Sequence, residues 1–349
     1  MNASDRATNI FLTGGTGLLG KRLLARLAAR PGATVYALCR KSSENLSRNS
    51  VGSNSFERTA CKEARNNARI NSHPQQGLMP ERQDRFSEAR LHQLLPNNPE
   101  LKAKVRIVQG DVTLPNLGVA PEIVEELSQH CVEIFHCAAA YDLAVEREKA
   151  LRVNTEGTRK TLDFAASLKS LRRFHHISTI IVSGDRTGEI YENELDKGQG
   201  FKNFYELSKF HAEKEVVKYS GRIPVTVYRP AVIVGDSRDG SIDKFDGPYF
   251  ALGFMLRGLP MLIPGSGPVN AMRLLAALPL FSRITTIPAQ TIPYMYQETK
   301  YDMTNTAEVL QRSGIQCPPI EGYLGRILQF FTMNYGRPIA DAVANSGTR

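Results

Sequence analysis

Tyr205 and Lys209 stand four residues apart in "NFYELSKFHAEKEV" (203–216), a stretch that reads as a helix. At that spacing both side chains leave one face, with Cβ atoms roughly 5–6 Å apart. A free phenol has a pKa of about 10, too high to exchange protons readily at neutral pH. A neighbouring ammonium favours the phenolate, and about 1.4 kcal/mol of that preference makes the phenol about tenfold more acidic. Tyr205 could then protonate an alkoxide that develops as hydride arrives, tuned by Lys209. A reacting oxygen gains from a second polar contact. "ISTIIVSG" (177–184) offers Thr179, with Ser178 as alternate, at the carboxyl end of a strand. A surface helix can carry such a pair by accident, so the rest of the chain must build a site around it.

"TGGTGLLGKR" (13–22) follows the first strand and opens the first helix. Gly15 to Lys21 matches the start of a P-loop, but Arg22 stands where a Ser or Thr would bind Mg²⁺. The parse Gly14-x-x-Gly17-x-x-Gly20 suits a dinucleotide instead. The first glycine permits the tight turn, the second admits a pyrophosphate, and the third allows close helix–strand packing. The helix N-terminus then faces the phosphates. An acidic residue ending the second strand would bind a ribose 2′-hydroxyl, whereas this chain has Arg40 and Lys41, which suit the 2′-phosphate of NADP(H). The alternative is a pair of exposed cations leading into a loop. Asp111 ends the third strand, where it could meet an adenine amino group or cap the following turn.

The elements that must position these residues alternate along the chain. Strands are predicted at 9–15, 34–40, 105–111, 132–139, 172–184 and 224–235, with helices at 18–30, 121–130, 146–168 and 203–219. Near-continuous apolar strands separated by helices imply a doubly wound, Rossmann-like parallel sheet of the α/β class. The expected division is a cofactor-binding domain over 1–235 and a smaller substrate-binding C-terminal subdomain over 236–349. Residues 41–80, rich in Ser, Asn and Arg through 77, read as a flexible insertion, and a helical pattern returns over 81–95. Two apolar, periodic stretches, 271–280 and 323–333, read either as core of the subdomain or as walls of an acyl channel.

The 349 residues carry a formal net charge of +9, without a dense basic run interleaved with aromatics, so nucleic-acid binding is not expected. The charge fits a solvated surface or attraction to an anionic cofactor, substrate or membrane surface. Five cysteines lack CxxC spacing, with Cys39 and Cys137 set in apolar runs, and seven histidines form no ligand pattern, so no metal is expected. The chain opens almost directly on a strand and holds no apolar run of about 18 residues, which points to a cytoplasmic protein with at most peripheral membrane contact. Oligomeric state is left open.

Taken together, the glycine triplet, "GDVT" (110–113), "FHCAAAYD" (135–142), "NTEGT" (154–158), "HHISTIIVSG" (175–184), the Tyr205–Lys209 pair and "YRPAVIVGDSRDG" (228–240) resemble an extended short-chain dehydrogenase/reductase. More narrowly, the chain resembles the thioester-reductase and fatty acyl-CoA reductase branch, with its male-sterility-type NAD-binding domain. The resemblance implies NADPH-dependent reduction of an acyl thioester, on CoA or a carrier protein, to an aldehyde or alcohol. It implies catalysis by Thr179, Tyr205 and Lys209. It places Gly14, Thr16, Gly17, Leu18, Gly20, Arg40, Asp111, Val112, Ala138, Lys209 and Pro230 around the cofactor. It also makes the C-terminal part, shortened after 270, the acyl pocket. Sugar-nucleotide epimerases or dehydratases and hydroxysteroid or dihydroflavonol-type ketone reductases share the fold and the pair. A scaffold that binds cofactor without catalysis is the alternative from another class.

Overall fold

The computed structural model describes residues 8–40, 98–130, 132–249, 252–253, 294 and 299–335. The expected insertion over 41–80, the helical pattern over 81–95, Lys41, the stretch 271–280 and the shortening after 270 lie outside them.

The described elements, in chain order, begin β1 (Thr8–Thr13), α1 (Leu18–Ala28), β2 (Ala33–Cys39), α2 (Pro99–Ala103), β3 (Val105–Gln109), α3 (Pro121–Gln129) and β4 (Val132–His136). They continue with α4 (Arg147–Ala150), a π-helical turn Leu151–Glu156, α5 (Gly157–Ser167), β5 (Leu171–Ile177), β6 (Gly188–Ile190), α6 (Phe204–Tyr219) and β7 (Val225–Tyr228). Last come β8 (Thr299–Tyr301), α7 (Thr304–Arg312) and α8 (Leu324–Asn334). Six parallel strands lie in the order β3-β2-β1-β4-β5-β7. The order reverses between β1 and β4, and in open α/β sheets ligands bind outside the carboxyl ends at such a switch point.

The alternation of strand side chains explains the layers. Phe11 of β1 faces one cluster with Tyr36, Ile134, Phe164 and Phe174, while Ile10 and Leu12 face another with Val35, Ala37 and Leu24 of α1. Ile10, Phe11 and Leu12 are all fully buried, as a strand covered on both faces requires. A third cluster, built on aromatic rings, packs Ile327, Phe330 and Phe331 of α8 against Ile242 and Tyr249. The stretch 323–333 therefore has one face in a core, as the first of its two readings expects, and leaves Leu324, Leu328 and Met333 exposed. The second, two-stranded sheet pairs β6 with β8 in parallel and joins the C-terminal region to the main body.

Two strands end earlier than expected. β5 stops at Ile177 and gives way to a 3-10 turn, Ile180–Ser183, with Thr179 at its N-cap. β7 stops at Tyr228, just before Arg229 and Pro230, where a proline without an N–H cannot continue a ladder. The helix expected over 146–168 is present, but a π-helical turn interrupts it at Asn154.

The sheet's interior holds a row of histidines whose side chains are kept neutral. Burial, and then the charge of Lys209, pulls His136 down to about 3; burial pulls His175 down to about 4. Fully buried His176 is pushed well below its usual value by burial, then Lys209, then His136. These pKa values are depressed by folding, so the unfolded chain binds more protons as pH falls below about 6.5, and stability is lost. Urea unfolding between pH 6.5 and 5, where carboxylates stay largely ionised, should show the midpoint falling with pH. His136 alone should approach a slope of about 1.4 kcal/mol per pH unit. A free energy of unfolding that is flat over this window would contradict the buried, neutral row.

Candidate active site

The turn between β1 and α1 is built from backbone close approaches. Gly14 has φ +69°, and a Cβ there would stand 2.5 Å from the Ala138 nitrogen of the neighbouring β4 segment. A Cβ on Gly20 would lie 2.0 Å from the Gly14 carbonyl oxygen. Gly17 is different: it is exposed, and a Cβ would meet only the Gly14 oxygen, at 3.4 Å. Gly17 caps α1 without a side-chain hydrogen bond, and no acidic residue sits in the first turn. The N–H groups of that first turn have no side-chain partner among the described residues and can receive an anion. Lys21, the lysine of the P-loop parse, is instead paired with Asp243, and Arg22 reaches Asp236 at 3.3 Å. The cradle fits a dinucleotide pyrophosphate, not a Walker-type triphosphate.

Around it, Thr16, Leu18 and Ala138 are half-buried, Leu18 packing against the α8 cluster. Arg40 is exposed at the end of β2, at the carboxyl edge of the sheet. Asp111 caps the following turn, its Oδ1 accepting from the N–H and the hydroxyl of Thr113, each at 2.8 Å. Val112 is a buried core residue that touches the α5 start at Gly157. Pro230 is half-buried, and its carbonyl accepts from the Ile180 N–H at 3.1 Å, tying the end of β7 to the turn that follows Thr179.

Tyr205 and Lys209 share the buried face of α6. The Tyr205 ring packs on Val145, Ala150 and Ile181 and meets the exposed Tyr141 edge-on, with centroids 5.3 Å apart. Its hydroxyl has no hydrogen-bond partner among the described residues. Lys209 turns the other way: its Nζ donates to the Ile177 carbonyl at 2.7 Å. Burial pulls its pKa down to about 8, against the upward pull of Glu213. The expected tuning of the phenol by the ammonium is therefore corrected. Burial, and then Tyr141, raise Tyr205 above its usual value, and Lys209 is not among the groups that shift it. The physical reason is direction, because the ammonium is spent on a strand-end carbonyl. A raised pKa keeps Tyr205 protonated at neutral pH, the state a proton donor needs.

The two hydroxyls at the end of β5 separate clearly. Ser178 donates to Glu213 Oε2 at 2.6 Å and is buried. Among the described residues Thr179 Oγ1 only accepts, from the Ile181 N–H at 3.4 Å, and its proton has no acceptor. Cys137, beside Ala138, is pushed up to about 12 by burial, which makes it a poor nucleophile at neutral pH.

Several supporting residues were not expected from sequence. Arg229 Nε donates to Glu213 Oε1 at 2.9 Å, and its guanidinium also reaches the Glu192 carbonyl. The π-helical turn aims Asn154 at the Ala140 backbone and at Ser208 Oγ, 2.9 Å away, joining the segment after β4 to α6. π-Bulges are frequent at functional sites. Glu206 is fully buried one position past Tyr205. Asn203 and Glu206 have the spacing of a helix N-terminal capping pair, the one signal that could have marked Glu206. Among the described residues no cluster of His, Cys, Asp or Glu could hold a metal ion, and no helix is long and apolar enough to cross a membrane.

Comparison with known proteins places this geometry. The family model described as male sterility protein matches residues 12–271. A Drosophila melanogaster protein named fatty acyl-CoA reductase wat is 25% identical over 268 residues, covering 68% of this chain and 46% of that protein. The chain thus spans about half the length of the curated relatives it matches. Among solved structures, the terminal R domain of the myxalamid PKS-NRPS pathway aligns with a TM-score of 0.65 at 21% identity, covering 96% of this chain and 92% of its own. A UDP-glucuronic acid 4-epimerase variant from Bacillus cereus, solved with NAD and a fluorinated substrate analogue, aligns with a TM-score of 0.55 at 15% identity over 94% of this chain and 100% of its own. These two likenesses establish the fold.

Gly17 and Gly20 should separate on substitution. Gly20→Ala should fail to fold or lose several kcal/mol, since a backbone oxygen blocks the new methyl. Gly17→Ala should fold with a stability loss of no more than about 1 kcal/mol but bind a nicotinamide dinucleotide at least about tenfold more weakly. Thermal melts and fluorescence titration measure the two effects, and equal behaviour of the two variants would contradict the cradle.

Proposed function

The chain belongs to the male sterility protein family, within the extended short-chain dehydrogenase/reductases that hold a nicotinamide cofactor, and from that premise we propose that it is an NADPH-dependent reductase of acyl thioesters. The observation that carries this reading is Tyr205, a buried, protonated phenol whose hydroxyl has no partner among the described residues, on a helix that Asn154 ties to the segment after β4 against which the Gly14 turn packs. Bound NADPH would supply a hydride to the thioester carbonyl carbon. Tyr205 gives its proton to the carbonyl oxygen as negative charge develops there. The Thr179 hydroxyl makes the second contact to that oxygen. Lys209 is assigned to the nicotinamide ribose, which its ammonium would hold in addition to the Ile177 carbonyl. The C–S bond then breaks to release a thiol and an aldehyde, and a second reduction would yield an alcohol. Gly14, Thr16, Gly17, Leu18 and Gly20 are assigned to the pyrophosphate turn. Asp111, Val112, Ala138 and Pro230 are assigned to the walls of the cofactor site, and Arg40 with Lys41 to the 2′-phosphate. In this reading residues 1–235 are the cofactor domain and 236–349 the substrate side, the thiol being CoA or a carrier-protein arm.

The name of the matched relative, fatty acyl-CoA reductase, supports the substrate class. The epimerase reading has the shared fold in its favour and Arg40 against it, since an acidic residue there would suit NAD, and the ketone-reductase reading has the shared fold in its favour.

Purified protein incubated with NADPH and a panel of acyl-CoAs should yield aldehyde or alcohol. Tyr205→Phe should bind NADPH as wild type does yet turn over at least about 10² more slowly, the scale of losing a general acid. Undiminished turnover in Tyr205→Phe would remove Tyr205 from the mechanism. For the cofactor, wild type should prefer NADPH to NADH, and Arg40→Ala should erase most of that preference through the KM for NADPH. Equal use of NADH by wild type would return Arg40 to the solvated surface.

A further inference from the structure

The first turn of α6 is held from the far side of the sequence. Tyr294 donates its hydroxyl proton to Glu206 Oε1 at 2.5 Å and accepts from Asn203 Nδ2 at 2.7 Å. Those two residues form the helix cap, since Asn203 Oδ1 accepts from the Glu206 N–H at 2.9 Å. The second Glu206 oxygen accepts from the Lys202 N–H at 2.7 Å, and the Lys202 ammonium lies 3.2 Å from the first. That ammonium also stands 5.0 Å above the Tyr294 ring and donates to the Gly184 carbonyl at 2.6 Å. Glu206 is fully buried, and a buried carboxylate persists only where such partners surround it.

An ordinary N-cap needs only Asn203 and Glu206. Here the third partner comes from 88 residues further along the chain, on the side assigned to substrate. Tyr205 lies between the two capping residues, so any tilt of this turn moves its hydroxyl. We propose that Tyr294 is a positioning residue which, by bonding Glu206 and Asn203 together, sets where the Tyr205 hydroxyl meets the reacting carbonyl. The substrate side of the chain thereby becomes part of the catalytic geometry. This inference rests on the reading of Tyr205 as proton donor.

The test compares wild type, Tyr294→Phe, Glu206→Gln and the double variant. Tyr294→Phe should bind NADPH within about twofold of wild type. Its kcat should fall about ten- to hundredfold, the scale of a misplaced reacting group, with KM for acyl-CoA changed less than about threefold. Because the tyrosine acts through Glu206, adding Tyr294→Phe to Glu206→Gln should cost less than about twofold more. An unchanged kcat, a loss confined to KM, or losses that multiply would overturn the proposal. The position of Tyr205 is also read without turnover. With ¹³C-labelled tyrosine, the resonance that disappears in Tyr205→Phe should move in Tyr294→Phe. If wild type reduces no thioester but that resonance moves, the function is wrong and the positioning stands. If the resonance stays in place, the positioning is overturned whatever the activity.

Discussion

Lys209 is a buried ammonium held by one strand-end carbonyl, and the catalytic region is organised by the need to keep that charge where it is. Removing a cation from water is costly unless opposite charge and hydrogen bonds compensate. Glu213, one turn further along α6, supplies the opposing charge and raises the Lys209 pKa against burial. Glu213 is itself buried and is held by Arg229 and Ser178, so the residue after β7 and the residue after β5 converge on one carboxylate. The same cation helps keep His136 and His176 neutral. His136 meets this by bonding Thr13 and Thr158 through its two ring nitrogens. Burial does most to keep these histidines neutral, and the Lys209 charge adds to it for His136 and His176.

The opposite half of the site depends on close approach rather than charge. Gly14 lies against the Ala138 backbone, which brings the β1 turn and the β4 end together at the switch point. Asn154 then ties the segment after β4 to Ser208 on α6. The Gly14 turn and the helix that carries Tyr205 are thus joined through the π-helical turn, and a shift in either should be felt by the other.

Much of this was legible in the sequence because it is local. Apolar strands, the glycine spacing and the four-residue separation of Tyr205 and Lys209 each depend on neighbours in the chain, and the parallel sheet follows from them. What was not legible depends on pairings between distant residues. Nothing near Glu213 announces Arg229, and nothing near Glu206 announces Tyr294. The choice between Ser178 and Thr179 turned on a carboxylate 35 residues beyond Ser178. The expected tuning of Tyr205 by Lys209 failed because sequence spacing places two side chains on one face but does not say where each one points. The overlong strands at 172–184 and 224–235 have a simpler cause. Apolar composition continues past Ile177 and Tyr228, whereas Pro230 has no N–H with which to continue the ladder.

In the proposed reaction this protein delivers hydride to the carbonyl carbon of an acyl thioester. The most direct measurement follows that hydride. The protein is incubated with NADPH carrying deuterium at the transferable C4 position and a long-chain acyl-CoA, and the organic products are analysed by mass spectrometry. The account predicts free CoA together with an aldehyde or alcohol that bears deuterium on the former carbonyl carbon. An unreduced thioester, or a reduced product with no deuterium at that carbon, would contradict it.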